Sequence, residues 1–286
     1  MENKYYNIAR QAFEVRKNIL KIALKHKIHI GGDLSVAEVM AAIWQYMMKY
    51  KPDDPTWEER DRFVLSKGHG AAVTFLNQAA IGCYSYEEVL REYATDFGRF
   101  GMHSCNLRNP HVEVSTGSLG HGLPVSVGLA AALRLKKNYT SRVFTVVGDG
   151  EAQEGSIWEA MMYASQLKLG NLVCFVDYNH LQCTGPLGES CSLEPLKDKV
   201  QAFGWYMVEV KGHDVKELAD TFDSMPSAES DKPIMVIAHT HKGRGVSFME
   251  ENASWHNGMV TEEQYNQAIK ELTDSFEKEW GRLDGK

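Results

Sequence analysis

The amino-acid sequence predicts an α/β fold with a mostly parallel central sheet and helices on both of its faces. Three observations carry this. Apolar, β-branched runs at 143–147, 172–176 and 233–240 are too short for helices and suit buried strands. Stretches with helical spacing of apolar residues separate them. Residues 142–182 read as strand, helix, strand, with polar ligand-type residues where each strand ends, the edge at which open parallel sheets bind ligands.

Taken in order, residues 5–27 form a basic amphipathic helix with Ile8, Ala12, Val15, Ile19, Ile22 and Ala23 on one face. A loop at 29–33 follows. Ser35-Val36-Ala37-Glu38 then reads as a capping box opening a helix to about residue 50. A Pro- and Asp-rich connection at 51–59 leads to a strand at 62–65, which Ser66-Lys67-Gly68-His69-Gly70 turns into another helix. Residues 83–113 look irregular, and a loop that long in a compact domain is usually functional or disordered. A glycine-spaced loop at 115–122 precedes a helix of small residues at 123–135.

Beyond the central unit, a loop at 183–194, a helix at 196–203, a strand at 206–210 and a helix at 215–225 lead to the strand at 233–240. That strand ends in His239-Thr240-His241. Alternate strand residues face opposite ways and no third ligand is evident, so zinc is not inferred. A long loop at 242–258 carries Trp255-His256-Asn257, and Thr261 with Gln264 caps a last amphipathic helix over 261–282. No repeat or linker divides the chain, so residues 1–286 form one domain.

In the central unit, Gly148-Asp149-Gly150 ends one strand and Asp177-Tyr178-Asn179 the next. Trp158, Met161, Met162, Ser165 and Leu169 are spaced as the face of the intervening helix, and Gly170 stops it. Asp149 and Asn179 are one βαβ length apart and emerge side by side. A carboxylate and an amide oxygen are hard ligands suited to Mg²⁺ or Ca²⁺, and the helix after Gly155 aims its amino end at the same place, favouring an anion. Together these suit a metal-bridged diphosphate; Asp and Asn would also serve as turn residues in an ordinary βαβ unit.

A net charge of −7 and a pI near 5.9 argue against a nucleic-acid surface. No run approaches the apolar length of a membrane span, and MENKYYNIARQ lacks a signal-peptide core, so a cytoplasmic protein is expected. The five cysteines form no C-x-x-C pair, and reduced thiols are the default.

The longer pattern of GDG, EG, W-E-A, N-L and Asn179 resembles the thiamine-diphosphate fingerprint of transketolase-like enzymes. His29-Ile30-Gly31-Gly32, the stretch from Arg62 through Ser66-Lys67-Gly68-His69-Gly70, Val114-Ser115-Thr116-Gly117-Ser118-Leu119-Gly120 and Lys242-Gly243-Arg244-Gly245-Val246 are similar to transketolase motifs in the family's order. The resemblance covers about residues 5 to 280. It implies a three-layer thiamine-diphosphate-binding fold. Asp149, Asn179 and the main-chain carbonyl of Leu181 would hold Mg²⁺, with Ca²⁺ or Mn²⁺ as substitutes. Gly148 and Gly150 would lie against the diphosphate with His69, and Gly117, Ser118 and Leu119 against the aminopyrimidine. Glu154 would be an orienting acid. His29, His69, His103 and His256 would surround the reacting carbon, His256 also facing the cofactor.

The resemblance further implies transfer of a two-carbon ketol unit between sugar phosphates. A whole transketolase continues into domains that supply the other half of the site. The expectation is therefore the N-terminal subunit of a split enzyme, paired with a separate C-terminal subunit in an α₂β₂ assembly. Asp33 and His121 depart from the usual residues, and Asp33 would either influence the choice of sugar near the entrance or cap the next helix. The α subunit of a 2-oxo acid dehydrogenase, a transketolase for a sulfonated or branched sugar, and a non-catalytic scaffold are the alternatives.

Overall fold

The computed structural model describes residues 3–281. From the amino end, α1 (Lys4–Ala23), α2 (Ile30–Ser35) and α3 (Ala37–Ala42) run through a π-turn to β1 (Arg62–Leu65), α4 (Ala71–Ala80) and α5 (Tyr86–Glu92). Next come α6 (Gly122–Leu135), β2 (Val143–Gly148), α7 (Gly155–Gln166) and β3 (Leu172–Tyr178). The short β4 (Leu181–Gln182), β5 (Gly185–Pro186) and α8 (Leu187–Ser190) follow. The chain continues through α9 (Leu196–Ala202), β6 (Tyr206–Lys211), α10 (Val215–Ser224), β7 (Ile234–His239) and α11 (Glu262–Trp280). Residue 282, the expected end of the last helix, lies outside the described residues.

The five strands expected from the sequence form one parallel sheet in the order β1-β2-β3-β7-β6, while β4 and β5 make a separate antiparallel pair. Alternation along the strands divides the core. Phe144, Val146, Val173, Phe175, Ile234 and Val236 pack with residues of α1, α3 and α4. Val143, Val147, Leu172, Cys174, Val176, Met235 and Ile237 pack with α6, α7 and α9. All seven residues of β3 are buried, as a parallel strand covered on both faces requires. Each large apolar side chain so buried contributes about 1.5–3 kcal/mol.

Five local readings are corrected by tertiary context. The 29–33 stretch is mostly helical, and Ser35 caps nothing: its hydroxyl lies 2.6 Å from Asp177 Oδ1, while Glu38 pairs with Arg16 and His213. Residues 83–113 hold α5, whose true capping box is Ser85 with Glu88. On α7 the buried face is Ile157, Ala160, Met161 and Ala164, and Met162 is 61% exposed. Lys168, at φ 55°, takes the left-handed position after α7. Gly170 is needed for space, because a Cβ there would lie 2.1 Å from Ser230 O.

Candidate active site

Sheet order brings the ends of β1, β2 and β3 side by side, with the residue after β7 beyond them. Over this edge lies a cavity of about 370 Å³, within the range of small-molecule sites. Gly148 pairs in register with Asp177, so the Asp149 and Asn179 ends meet across one strand spacing. The turn after β1 packs against the 115–122 loop so closely that a Cβ on Gly68 would stand 2.5 Å from Gly117 N. That approach requires glycine; the His103 ring lies against Gly117, and the His69 ring against Gly32.

The oxygen donors come from adjacent strand ends. Asp149, 3% exposed, accepts from Gly150 N at 2.7 Å and His180 N at 2.5 Å. Burial and the neighbouring Asp177 push its carboxyl up to about 6. Asn179 Oδ1 accepts from Leu181 N at 3.1 Å, and Leu181 O accepts from Lys242 Nζ at 2.8 Å. Each of these three oxygens retains a lone pair. A buried carboxylate held unfavourably, an amide oxygen and a carbonyl form a donor set that fits a hard divalent cation.

Four imidazoles face one another around the opening. The His29 ring centroid lies 5.3 Å from His69, 6.0 Å from His103 and 5.5 Å from His256, and His69 lies 5.6 Å from His256. Burial first, then nearby positive groups, lowers His29 and His69, and takes His256 down to about 4. These three rings are therefore neutral at pH 7 and able to accept a proton. His256 Nδ1 is buried without a partner among the described residues. An unmet polar atom there suits a polar ligand.

Two buried lysines complete the wall. Lys67 Nζ lies 2.5 Å from Asp177 Oδ2 and 3.0 Å from Gly32 O. Lys242, lowered to about 8 by burial and by Lys67, faces no carboxylate within salt-bridge distance among the described residues and rests on the Leu181 carbonyl. It supplies the positive charge an anionic ligand would meet. Glu151, 2% exposed, accepts from Ser66 Oγ, from Gly120 N at 2.9 Å and from Gly148 N at 3.0 Å, tying three cavity loops together.

The structure thus gathers His29, His69, His103, His256, Gly117, Leu119, Gly148, Asp149, Gly150, Asn179 and Leu181 in one cavity. It leaves two expected residues outside. Ser118 is exposed, and Glu154 is the exposed N-cap of α7. The acid of this turn that lines the cavity is Glu151, three residues earlier. A 3₁₀ turn at Glu151–Gln153 precedes α7, and of these residues only Glu151 lines the cavity. Asp33 does not line the cavity. It is fully buried, accepts from Val73 N at 3.1 Å and so caps α4. His121 is exposed, its Nδ1 3.0 Å from Leu119 O. Sequence reasoning did not single out Lys67, Asp177, Lys242 and Glu151. The available signal was that two lysines beside glycines and two acids close strand-end turns.

Comparison with known proteins places the chain in a family. Residues 18–279 match the transketolase, thiamine diphosphate binding domain, and the chain belongs to that family, whose members are transferases. It is 41% identical to one of the apulose-4-phosphate transketolase subunits, from Phocaeicola vulgatus, over 94% of each chain. It is 38% identical to a 6-deoxy-6-sulfo-D-fructose transketolase subunit from a Clostridium species, over 95% of this chain and 98% of the relative. Transketolase from Leishmania mexicana superposes with a TM-score of 0.84 at 29% identity, covering 99% of this chain and 42% of that one. The chain therefore spans about two fifths of that solved transketolase and nearly all of the subunits it resembles. Among the described residues, no helix is long and apolar enough to cross a membrane.

Proposed function

We propose that this chain is the diphosphate-holding subunit of a two-subunit, thiamine-diphosphate-dependent transketolase of the cytoplasm, transferring a two-carbon ketol unit between sugar phosphates. The observation that carries the reading is the meeting of four imidazoles with a carboxylate, amide and carbonyl oxygen set at one sheet edge. That its similar relatives bear subunit names supports the need for a partner, here a separate C-terminal subunit in an α₂β₂ assembly.

Asp149, Asn179 and the Leu181 carbonyl would hold Mg²⁺, and His69, Gly150 and Lys242 would receive the diphosphate. Gly117 and Leu119 would bear on the aminopyrimidine. Thiamine diphosphate, when bound, supplies the electron sink for breaking the bond next to a ketose carbonyl. This chain's task is to move protons. His29 and His256, held neutral, would take a proton from a substrate hydroxyl and return it, and the exposed His103 would meet the sugar first. Such positioned acid–base groups contribute about 10²- to 10⁴-fold in rate.

The relatives named for apulose-4-phosphate and for 6-deoxy-6-sulfo-D-fructose support including unusual sugars among the donors. Ketol transfer from xylulose 5-phosphate to ribose 5-phosphate tests the reading, with thiamine diphosphate and Mg²⁺ present. The chain is assayed alone and then with a separate C-terminal transketolase subunit. Activity only in the mixture is expected, and 6-deoxy-6-sulfo-D-fructose is assayed in parallel. Activity of the chain alone would overturn the subunit reading. Oxidative decarboxylation of a 2-oxo acid by the mixture would replace ketol transfer.

A further inference from the structure

We propose that Asp177 is a positioning residue: it fixes the side-chain amide of Asn179 with its oxygen toward the cavity, and Lys67 is its counter-ion in that task. The inference rests on the metal-site reading above. Asp177 is 1% exposed, yet it stands outside the proposed donor set.

The hydrogen-bond inventory carries the argument. The Asp177 carboxylate receives Lys67 Nζ at 2.5 Å, Ser35 Oγ at 2.6 Å, Thr240 Oγ1 at 2.5 Å and Asn179 Nδ2 at 3.2 Å. An ionised carboxylate only accepts, so every group around it must donate. Lysine and the two hydroxyls do so. Asn179 is the one neighbour whose amide could present either end. Its Nδ2 also donates to Ser35 Oγ at 3.2 Å. A flipped amide would set oxygen against the Asp177 carboxylate and NH₂ against the Leu181 N–H, acceptor on acceptor and donor on donor. Asp177 thereby selects one orientation, and that orientation is the one a cation needs, since a divalent ion binds the amide through oxygen.

Mn²⁺ is a suitable probe. Free Mn²⁺ is measured by electron paramagnetic resonance with thiamine diphosphate present, on the full chain alone and mixed with its partner subunit. Replacing the buried ion pair by apolar residues, Lys67→Met with Asp177→Leu, removes charge and counter-charge together and is tolerated by many folds. The expected result is a folded protein whose Mn²⁺ affinity is weaker by about 10- to 100-fold, as for other residues that orient a ligand. Asn179→Asp supplies the rescue. A carboxylate has no wrong end, so this change should weaken binding in the native background, where it faces Asp177, and strengthen it in the apolar background.

Native Mn²⁺ affinity in the apolar pair would make Asp177 merely the counter-ion of Lys67 and overturn the proposal. Asn179→Asp acting with the same sign in both backgrounds would overturn it too. Should the apolar pair not fold, two single variants decide. Ser35→Ala and Thr240→Val each remove one donor to Asp177, but only Ser35→Ala removes an acceptor of Asn179. Ser35→Ala should weaken Mn²⁺ several-fold more, and equal effects would overturn the proposal. The metal-site reading fails separately, if the native chain binds no more Mn²⁺ than Asp149→Ala in either preparation. That outcome removes this inference with it.

Discussion

Two buried charged clusters lie close to this sheet edge, and they are built on opposite terms. The Arg16, Glu38 and His213 cluster matches its charges internally, although Arg16 Nε is buried without a partner among the described residues. Glu38 holds Arg16 through both carboxylate oxygens, Arg16 Nη2 reaches Leu34 O at 3.0 Å, and His213 Nδ1 lies 2.9 Å from Glu38. His213 Nε2 accepts from His241 N at 2.8 Å, which leaves the proton on Nδ1 to be donated to Glu38. The cavity cluster stays open. Among the described residues, Asp149 has two amide donors but no cation within salt-bridge distance, Lys242 has a carbonyl but no carboxylate, and His256 Nδ1 has nothing. A cluster whose charges are matched internally holds helices together. One whose charges are matched only from outside is a binding site.

The two clusters should separate cleanly under mutation. Asp149→Ala removes the proposed metal carboxylate, so metal-dependent binding of thiamine diphosphate should weaken by about 100-fold or more, beyond the cost of losing an orienting residue. The melting temperature without ligand should hardly fall. Titration calorimetry with and without EDTA measures this, and tight cofactor binding by the variant in EDTA would contradict the assignment. His103→Ala sharpens the comparison within the cavity. Turnover should drop by about 10²- to 10⁴-fold with cofactor affinity unchanged. Weakened cofactor binding would move His103 from the substrate side to the cofactor side.

Glu38→Ala attacks the closed cluster instead. It strands the Arg16 guanidinium in the core, at a cost of about 3–5 kcal/mol. Thermal denaturation should move down by on the order of 10 °C, while the protein still folded at low temperature binds cofactor normally. Burial opposes the Glu38 charge, but the Arg16 guanidinium outweighs it and holds the carboxyl well below its usual range. A carboxyl depressed in the folded state stabilises above its unfolded pKa, so this contribution is present at pH 7 and lost as pH falls below about 4.5. Loss of Mn²⁺ binding in Glu38→Ala at low temperature would break the separation.

The sequence carried the sheet and most of the cavity because both rest on short-range patterns. Apolar runs located three of the five parallel strands and the order of elements the other two, and motif residues at their ends had to converge once the sheet was parallel. What it did not carry depends on long-range partners. Ser35 and Glu38 satisfy a capping-box pattern, yet Asp177 and Arg16 claim their side chains from elsewhere in the chain. The helical periodicity of α7 admitted two faces, and only the packing of α6 and β3 against Ile157 and Met161 chose one. Glu151 and Glu154 follow the same strand. A single 3₁₀ turn decides which of them points inward, and no spacing rule anticipates it.

Asp33 tests the comparison at its boundary, since it is a fully buried acid that belongs to neither cluster. Val73 N satisfies one oxygen, the other has no partner among the described residues, and burial pushes the carboxyl up to about 7. The sign is opposite to that of Glu38. A carboxyl raised in the folded state destabilises most above its folded pKa, and the penalty disappears as pH falls from about 7 toward the unfolded value of 3.8. Asp33→Asn keeps the acceptor for Val73 and removes the charge. It should raise stability at pH 8 by about 1–3 kcal/mol and flatten the pH dependence between about pH 4 and 7. Mn²⁺ affinity should not change. Denaturant melts at pH 5 and pH 8 suffice to check it: a variant no more stable than the native chain at pH 8 would mean that Asp33 has a cationic partner in solution and belongs, after all, with the cavity lysines.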